Sequence, residues 1–180
     1  MASNTSQKSV AVRTRAAKGR RQQAMRAPRN PDELWLWVRD TLGVELKRRG
    51  PLDDEDAPFD YLAWAFFEGA GRLRASLSEV RDGSADAVVL ACRGGGKTYL
   101  GAVATALDML FKPGIEVKIL AGSVEQGSKM HAHLRDIFAI PALAREVAGR
   151  ATDRRIALRN KSSVTVLAQS ETSIRGVRAQ

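Results

Sequence analysis

The chain has 180 residues and is 44% hydrophobic, enough for one domain with a buried core. Its one cysteine, Cys92, excludes an internal disulfide and fits a reducing compartment, and no apolar run is long enough to span a bilayer or to follow the basic amino terminus as a secretory signal. The net charge of +9 is unevenly placed: residues 1–30 hold eight Lys and Arg and no acid, which leaves +1 for residues 31–180.

Residues 1–30 have too little apolar surface to offset their ordering entropy and are expected to form a disordered basic tail. Such a tail suits contact with DNA or RNA through counterion release, or is simply solvated. A helical lead-in is expected over 31–84. Asn30 is placed to cap its first helix, Pro31 suits the first helical position, and Glu33 stands where a capping box wants it. That helix should run through Leu34, Trp35, Val38 and Leu42 to Gly43, with Trp35 and Trp37 on different faces. The acidic run Asp53-Asp54-Glu55-Asp56 lies on a Pro-bounded loop without calcium-loop spacing and reads as solvated. Residues 58–77 read as an aromatic-rich helix. Tyr61, Trp64 and Leu73 or Leu77 are expected on its buried stripe, packing in the core or, for a ring near the next loop, stacking on an adenine.

From residue 85 the pattern becomes α/β, expected to continue to 180. A strand over 87–91 leads into a glycine loop and a helix from Lys97 to about Phe111. The small residues Gly101, Ala102, Ala104 and Ala106 let that helix sit close to a sheet. Lys112-Pro113-Gly114 ends it, and 115–121 is a second strand turning at Gly122-Ser123. A second helix over about 124–138 is followed by a helical turn over 142–148. The segments 156–159 and 163–168 make a hairpin around Asn160-Lys161-Ser162. Strand, helix, strand, helix implies parallel pairing with a right-handed crossover. His131 and His133, two apart on a helix, point to different faces and cannot share a metal there.

The stretch Ala91-Cys92-Arg93-Gly94-Gly95-Gly96-Lys97-Thr98 matches the phosphate-loop spacing, with Ala91 where glycine is usual. Ala is acceptable there provided that position avoids positive φ. Glycines let backbone N–H groups converge into an anion nest at the positive end of the helix dipole. Arg93, Gly94, Gly95, Gly96, Lys97, Thr98 and Tyr99 are therefore the expected nucleotide-binding residues. Lys97 would reach the β- and γ-phosphates and Thr98 would offer its hydroxyl to Mg²⁺. Arg93 adds a second cation that either stabilises transferred charge, senses the nucleotide, or pairs with a surface carboxylate. Lys97 and Arg93 are the candidate catalytic residues, and ATP with Mg²⁺ the expected cofactor pair.

With these residues in hand, the chain resembles the amino-terminal ATPase part of a tailed-phage terminase large subunit, the motor that packages DNA into capsids. The stretch 92–98, with a small residue and then Arg ahead of Gly-Lys-Thr, is similar to the terminase phosphate loop. Ala121-Gly122-Ser123-Val124-Glu125-Gln126-Gly127 is similar to the segment after its second strand, where a Gln often stands. Ser173-Ile174-Arg175-Gly176-Val177-Arg178 resembles the Arg-Gly stretch before its acidic strand, and 59–67 its upstream aromatic helix.

The resemblance covers about residues 58–180 and implies a P-loop NTPase of RecA/ASCE type. That fold is an α/β three-layer sandwich, here with an incomplete parallel sheet behind a helical segment. It makes Gln126, Arg175 and Gly176 candidates for coupling nucleotide state to movement. It further implies double-stranded DNA, a small terminase subunit, a portal or procapsid and a homo-oligomeric ring as partners, in the cytoplasm of a bacterial host. The acidic strand and nuclease domain of that family have no counterpart in these 180 residues, so ATP binding with poor hydrolysis is expected. Alternatives are a helicase-like ATPase fragment, and a non-catalytic nucleotide- or DNA-binding module of a split gene.

Overall fold

The structure, a computed structural model, describes residues 26–50, 56–67 and 88–168. The tail over 1–25, the acids at 53–55, the second half of the expected 58–77 helix with Leu73 and Leu77, and Arg175 and Gly176 lie outside the described residues. Within them the chain is a mixed α/β protein with four helices and a three-stranded mixed sheet. No helix among the described residues is long and apolar enough to cross a membrane.

Helix α1 spans Pro31–Trp37 and widens into a π-helical turn over Val38–Leu42, which Gly43 ends at φ 71°. Asn30 caps as expected, its Oδ1 accepting from the Glu33 N–H at 2.9 Å. The reciprocal half of the capping box does not form. The Glu33 carboxylate accepts instead from the backbone N–H and guanidinium of Arg29, at 3.0 and 2.7 Å, and these bonds hold its pKa down at about 2. The two tryptophans diverge: Trp37 is buried, whereas half-buried Trp35 donates its indole N–H to the Leu46 carbonyl.

Helix α2 spans Pro58–Phe67 and buries Phe59, Leu62 and Ala63, an i, i+3, i+4 stripe. Tyr61 and Trp64, the residues expected on that stripe, are only half-buried. Both lead-in helices pack against the far end of helix α3, Lys97–Phe111. Phe111 meets Trp37 and Phe66 edge-to-face, with ring centroids at 5.6 and 6.0 Å. Those rings therefore serve the core at the end of α3 opposite the glycine loop, and are not placed to stack on a base there.

Strands β1 (Glu116–Ala121), β2 (Arg155–Ala157) and β3 (Ser163–Ala168) lie in the order β1-β3-β2. β1 and β3 are parallel, from Glu116 opposite Ser163 to Ala121 opposite Ala168, and β2 and β3 are antiparallel. Helix α4, Val124–Ala139, joins the parallel pair, capped by the Ser123 hydroxyl. Alternation turns Ile119, Val164, Val166 and Ile156 inward. A single 3₁₀ turn, Ala144–Glu146, stands where a longer helical turn is expected over 142–148.

Two close fits hold the helices to this sheet. At Gly127 of α4 a Cβ would sit 2.7 Å from the Val166 Cγ1, so only glycine lets α4 approach so near. The turn between β2 and β3 closes over the carbonyl end of α3. Asn160 Nδ2 donates to the Met109 carbonyl at 2.7 Å, and Ser162 Oγ donates to the Lys112 carbonyl at 3.1 Å. Carbonyls that an α-helix leaves unpaired at its end are satisfied by the hairpin.

The strand expected over 87–91 does not form in the described part. Residues 88–91 belong to no strand, and Val88 and Leu90 are 87% and 89% exposed. Residues 88–91 join no strand although β1 is an edge of the sheet among the described residues, so their apolar, partly β-branched composition does not by itself set a strand.

His131 is 1% exposed on α4, and its Nε2 has no hydrogen-bond partner among the described residues. Burial pushes its pKa below the ordinary 6.5, the nearby Arg135 guanidinium adds to this, and Asp153 opposes it. Two predictions follow from the packing of α4. Gly127→Ala costs about 1–3 kcal/mol in urea unfolding because the helix must move off Val166. The unfolded chain protonates His131 near pH 6.5 and the folded chain only lower, so stability is full above 6.5 and declines as pH falls through that window. His131→Leu flattens this acid decline, measured by urea midpoints across the pH range.

Candidate functional site

The glycine loop lies between the unpaired segment 88–91 and the amino terminus of α3, and residues 91–98 are all exposed. Its glycines are required for two different reasons. Gly94 and Gly96 adopt φ of 82° and 76°, the left-handed region that side chains disfavour. Gly95 is held sterically: a Cβ there would lie 3.2 Å from both the Cys92 carbonyl oxygen and its Sγ. The Gly95 N–H donates to the Cys92 carbonyl at 3.2 Å, which tightens the loop into a turn. Ala91 has no positive φ, so its methyl group is accommodated where glycine is usual.

Gly96 is the N-cap of α3 and offers no side-chain cap. The first helical bond is Leu100 N–H to the Gly96 carbonyl at 2.9 Å, so the N–H groups of Lys97, Thr98 and Tyr99 have no partner within the helix. No acidic residue stands in this first turn. The result is a cluster of amide donors at the positive end of a 15-residue helix dipole, facing solvent.

Lys97 curls back over the loop. Its ammonium donates to the carbonyls of Ala91 and Cys92 at 2.5 and 2.8 Å. An ammonium has three N–H donors, so one remains for an incoming anion while the other two brace the loop. These carbonyl partners are what the sequence pattern leaves out: it marks the lysine by its distance to phosphate, not by the backbone that holds it beforehand. Arg93 is exposed and has no ion pair or hydrogen bond among the described residues. Thr98 is also exposed.

Tyr99 is placed differently from expectation. Its ring is turned away from the loop onto α4, edge-to-face with His133 at 5.3 Å, and burial raises its hydroxyl pKa. Only its backbone N–H belongs with the loop. One turn further, Gly101 lies against Met130, whose Cε would be 3.5 Å from a Cβ at that position. The start of α3 is thus seated against Met130 of α4 at ordinary van der Waals distance. Gln126 is exposed in the first turn of α4 and makes no side-chain hydrogen bond to the loop. Arg175 and Gly176, the other coupling candidates, are outside the described residues.

The loop's donors fit a phosphorylated ligand: several unpaired amides, one ammonium and a guanidinium within six residues, with an adjacent hydroxyl for a cation. No group of three or more His, Cys, Asp or Glu among the described residues is placed to hold a metal by itself, so a cation here would need the ligand's own oxygens. No family model, curated protein or solved structure matches this chain.

Because Gly96 needs its left-handed φ, with open space around it, Gly96→Ala acts through backbone strain alone. It lowers stability by about 1–2 kcal/mol in chemical unfolding, with no new contact to explain it.

Proposed function

We propose that the loop 91–98 binds ATP with Mg²⁺, and that the chain is the nucleotide-binding part of a DNA-packaging motor of the terminase type. The α/β core then corresponds to part of a P-loop NTPase sandwich. The observation that carries this reading is the loop itself. Two glycines at positive φ shape the loop at the start of α3, and the Lys97 ammonium is bonded back to the loop carbonyls of Ala91 and Cys92.

In that reading the amides of Gly94 and Gly96 and of the first turn of α3 hold the β- and γ-phosphates. Lys97 gives its remaining N–H to the same oxygens. Thr98 supplies a hydroxyl ligand to Mg²⁺, which neutralises charge on the phosphates when bound. Arg93 extends from the loop as a second cation over the transferring group. Arg93 and Lys97 polarise and position the phosphates. With no carboxylate in the first turn of α3 to orient water, the described residues support binding better than turnover.

The remaining parts of the reading come from the terminase resemblance. Double-stranded DNA is the substrate moved, a small terminase subunit and a portal or procapsid are the partners, and a ring is the working assembly. The host-cell cytoplasm is the place of action.

Titration calorimetry of the chain with ATP, with and without Mg²⁺, tests the reading. Binding is expected, strengthened by Mg²⁺, and Lys97→Ala is expected to weaken it by about 10- to 100-fold, the worth of a charge-assisted hydrogen bond. Equal affinity in wild type and Lys97→Ala would sink the proposed site. Turnover by the purified chain is expected far below roughly 1 s⁻¹, the low end of ordinary enzyme rates.

A further inference from the structure

The ribbon over residues 145–161 carries six exposed cations, Arg145, Arg150, Arg154, Arg155, Arg159 and Lys161, against two carboxylates, Glu146 and Asp153. Its fold gathers them. Val147 bridges Leu158 in antiparallel fashion, the Ala148 N–H donates to the Ala157 carbonyl at 2.8 Å, and the Arg159 N–H donates to the Glu146 carbonyl at 2.8 Å. Arg159 Nε also donates to the Arg145 carbonyl at 2.8 Å, which sets these two side chains at one end of the ribbon.

At the other end a turn closes around Thr152, whose Oγ1 accepts from the Arg155 N–H at 3.0 Å, and Arg150, Arg154 and Arg155 surround it. Alternation sends Ile156 and Leu158 into the core, leaving Arg155 and Arg159 on the outer side, roughly 13 Å apart along the ribbon. Asp153 is engaged by Arg135 of α4 at 2.7 Å, so the second carboxylate is already neutralised by a cation from outside the ribbon. Arg150 and Arg154 have no side-chain ion pair or hydrogen bond among the described residues, and Arg155 has only an electrostatic interaction with Glu116 of β1.

Unpaired guanidinium groups held on a paired backbone are a poor choice for stability and a good one for recognising phosphate, whose oxygens match the guanidinium fork. We infer that this ribbon is a phosphate-backbone contact surface for duplex nucleic acid, separate in sequence from the nucleotide loop. A duplex places a phosphate about every 1.7 Å of its axis, so the ribbon's length faces several at once, and release of their counterions drives the contact. The surface reads charge and not base sequence. It rests on the proposed motor for the choice of duplex DNA among polyanions, and it gives that motor its grip on the track.

The test uses the full chain in every arm, with a labelled duplex of about 30 base pairs and salt varied between about 50 and 200 mM. The triple variant Arg150→Gln, Arg154→Gln, Arg155→Gln is expected to reduce the slope of log affinity against log salt by about 3, and low-salt affinity by on the order of tenfold. ATP binding is expected to stay unchanged. Unchanged slope and affinity would overturn the surface, as would loss of binding to phosphatidylserine vesicles without loss of duplex binding. If the triple variant fails to fold by circular dichroism, Arg150→Gln and Arg154→Gln singly should each lower the slope by about 1, and unchanged slopes overturn the inference. A wild type that binds no ATP but shows the slope change refutes the proposed nucleotide site and leaves this surface standing. ATP binding with no slope change refutes the surface alone.

Discussion

The amide of Asn160 holds the carbonyl end of α3, and much of the arrangement follows from that bond. Helix ends carry unpaired backbone groups, and a buried end without partners costs a few kcal/mol. Here the turn between β2 and β3 supplies the partners: Asn160 to Met109, Ser162 to Lys112, and the Gly114 N–H back to the Asn160 carbonyl. The sheet and α3 are thereby fixed end to end, and the aromatic lead-in gathers on the same end around Phe111. With one end of α3 locked into the core, its other end is left to face solvent.

That open end is where the glycine loop sits, and the two ends of α3 contrast in how their polar groups are met. Carbonyls at one end are bonded by a folded turn. Amides at the other end have only the loop, and the Lys97 ammonium is drawn onto the loop's own carbonyls. Such an arrangement suits an anion, because the first-turn amides of α3 have no partner within the helix and the Lys97 ammonium keeps a third N–H beyond its two loop carbonyls. The approach of α4 adds support from the side through Met130 against Gly101 and His133 against Tyr99. A nucleotide bound there would press on a helix whose far end is clamped to the hairpin carrying the basic ribbon, a continuous path of bonded elements between the two surfaces.

Much of the fold was legible in the sequence. Helix α3 has the limits that the Gly-Lys-Thr start and the Lys112-Pro113-Gly114 stop imply, and α4 runs one residue past its expected end. The antiparallel pairing of 155–157 with 163–165 follows from short apolar alternation around a turn, whereas the parallel pairing of 116–121 with 163–168 was not read from the sequence. What was not legible depends on neighbours. The apolar segment 88–91 has strand composition but is not paired to the sheet edge that β1 presents in the described part. The Glu33 carboxylate turned to Arg29, a competitor that a capping motif does not weigh. Tyr99 turned to His133, because in a helix the residue two after the loop's lysine faces whatever packs alongside.

Composition by itself determined that the glycine loop has the residues to hold phosphate, since local backbone geometry follows from glycine and the helix that succeeds it. It also placed the basic surplus in the first 30 residues, because a net count lets distant acids cancel nearby arginines. Only the tertiary structure decided that the arginines of 145–161 stand together on one ribbon, with its carboxylate Asp153 engaged by Arg135. The reason is physical: charge acts through distance in space, and a chain's order does not give those distances until its strands have paired.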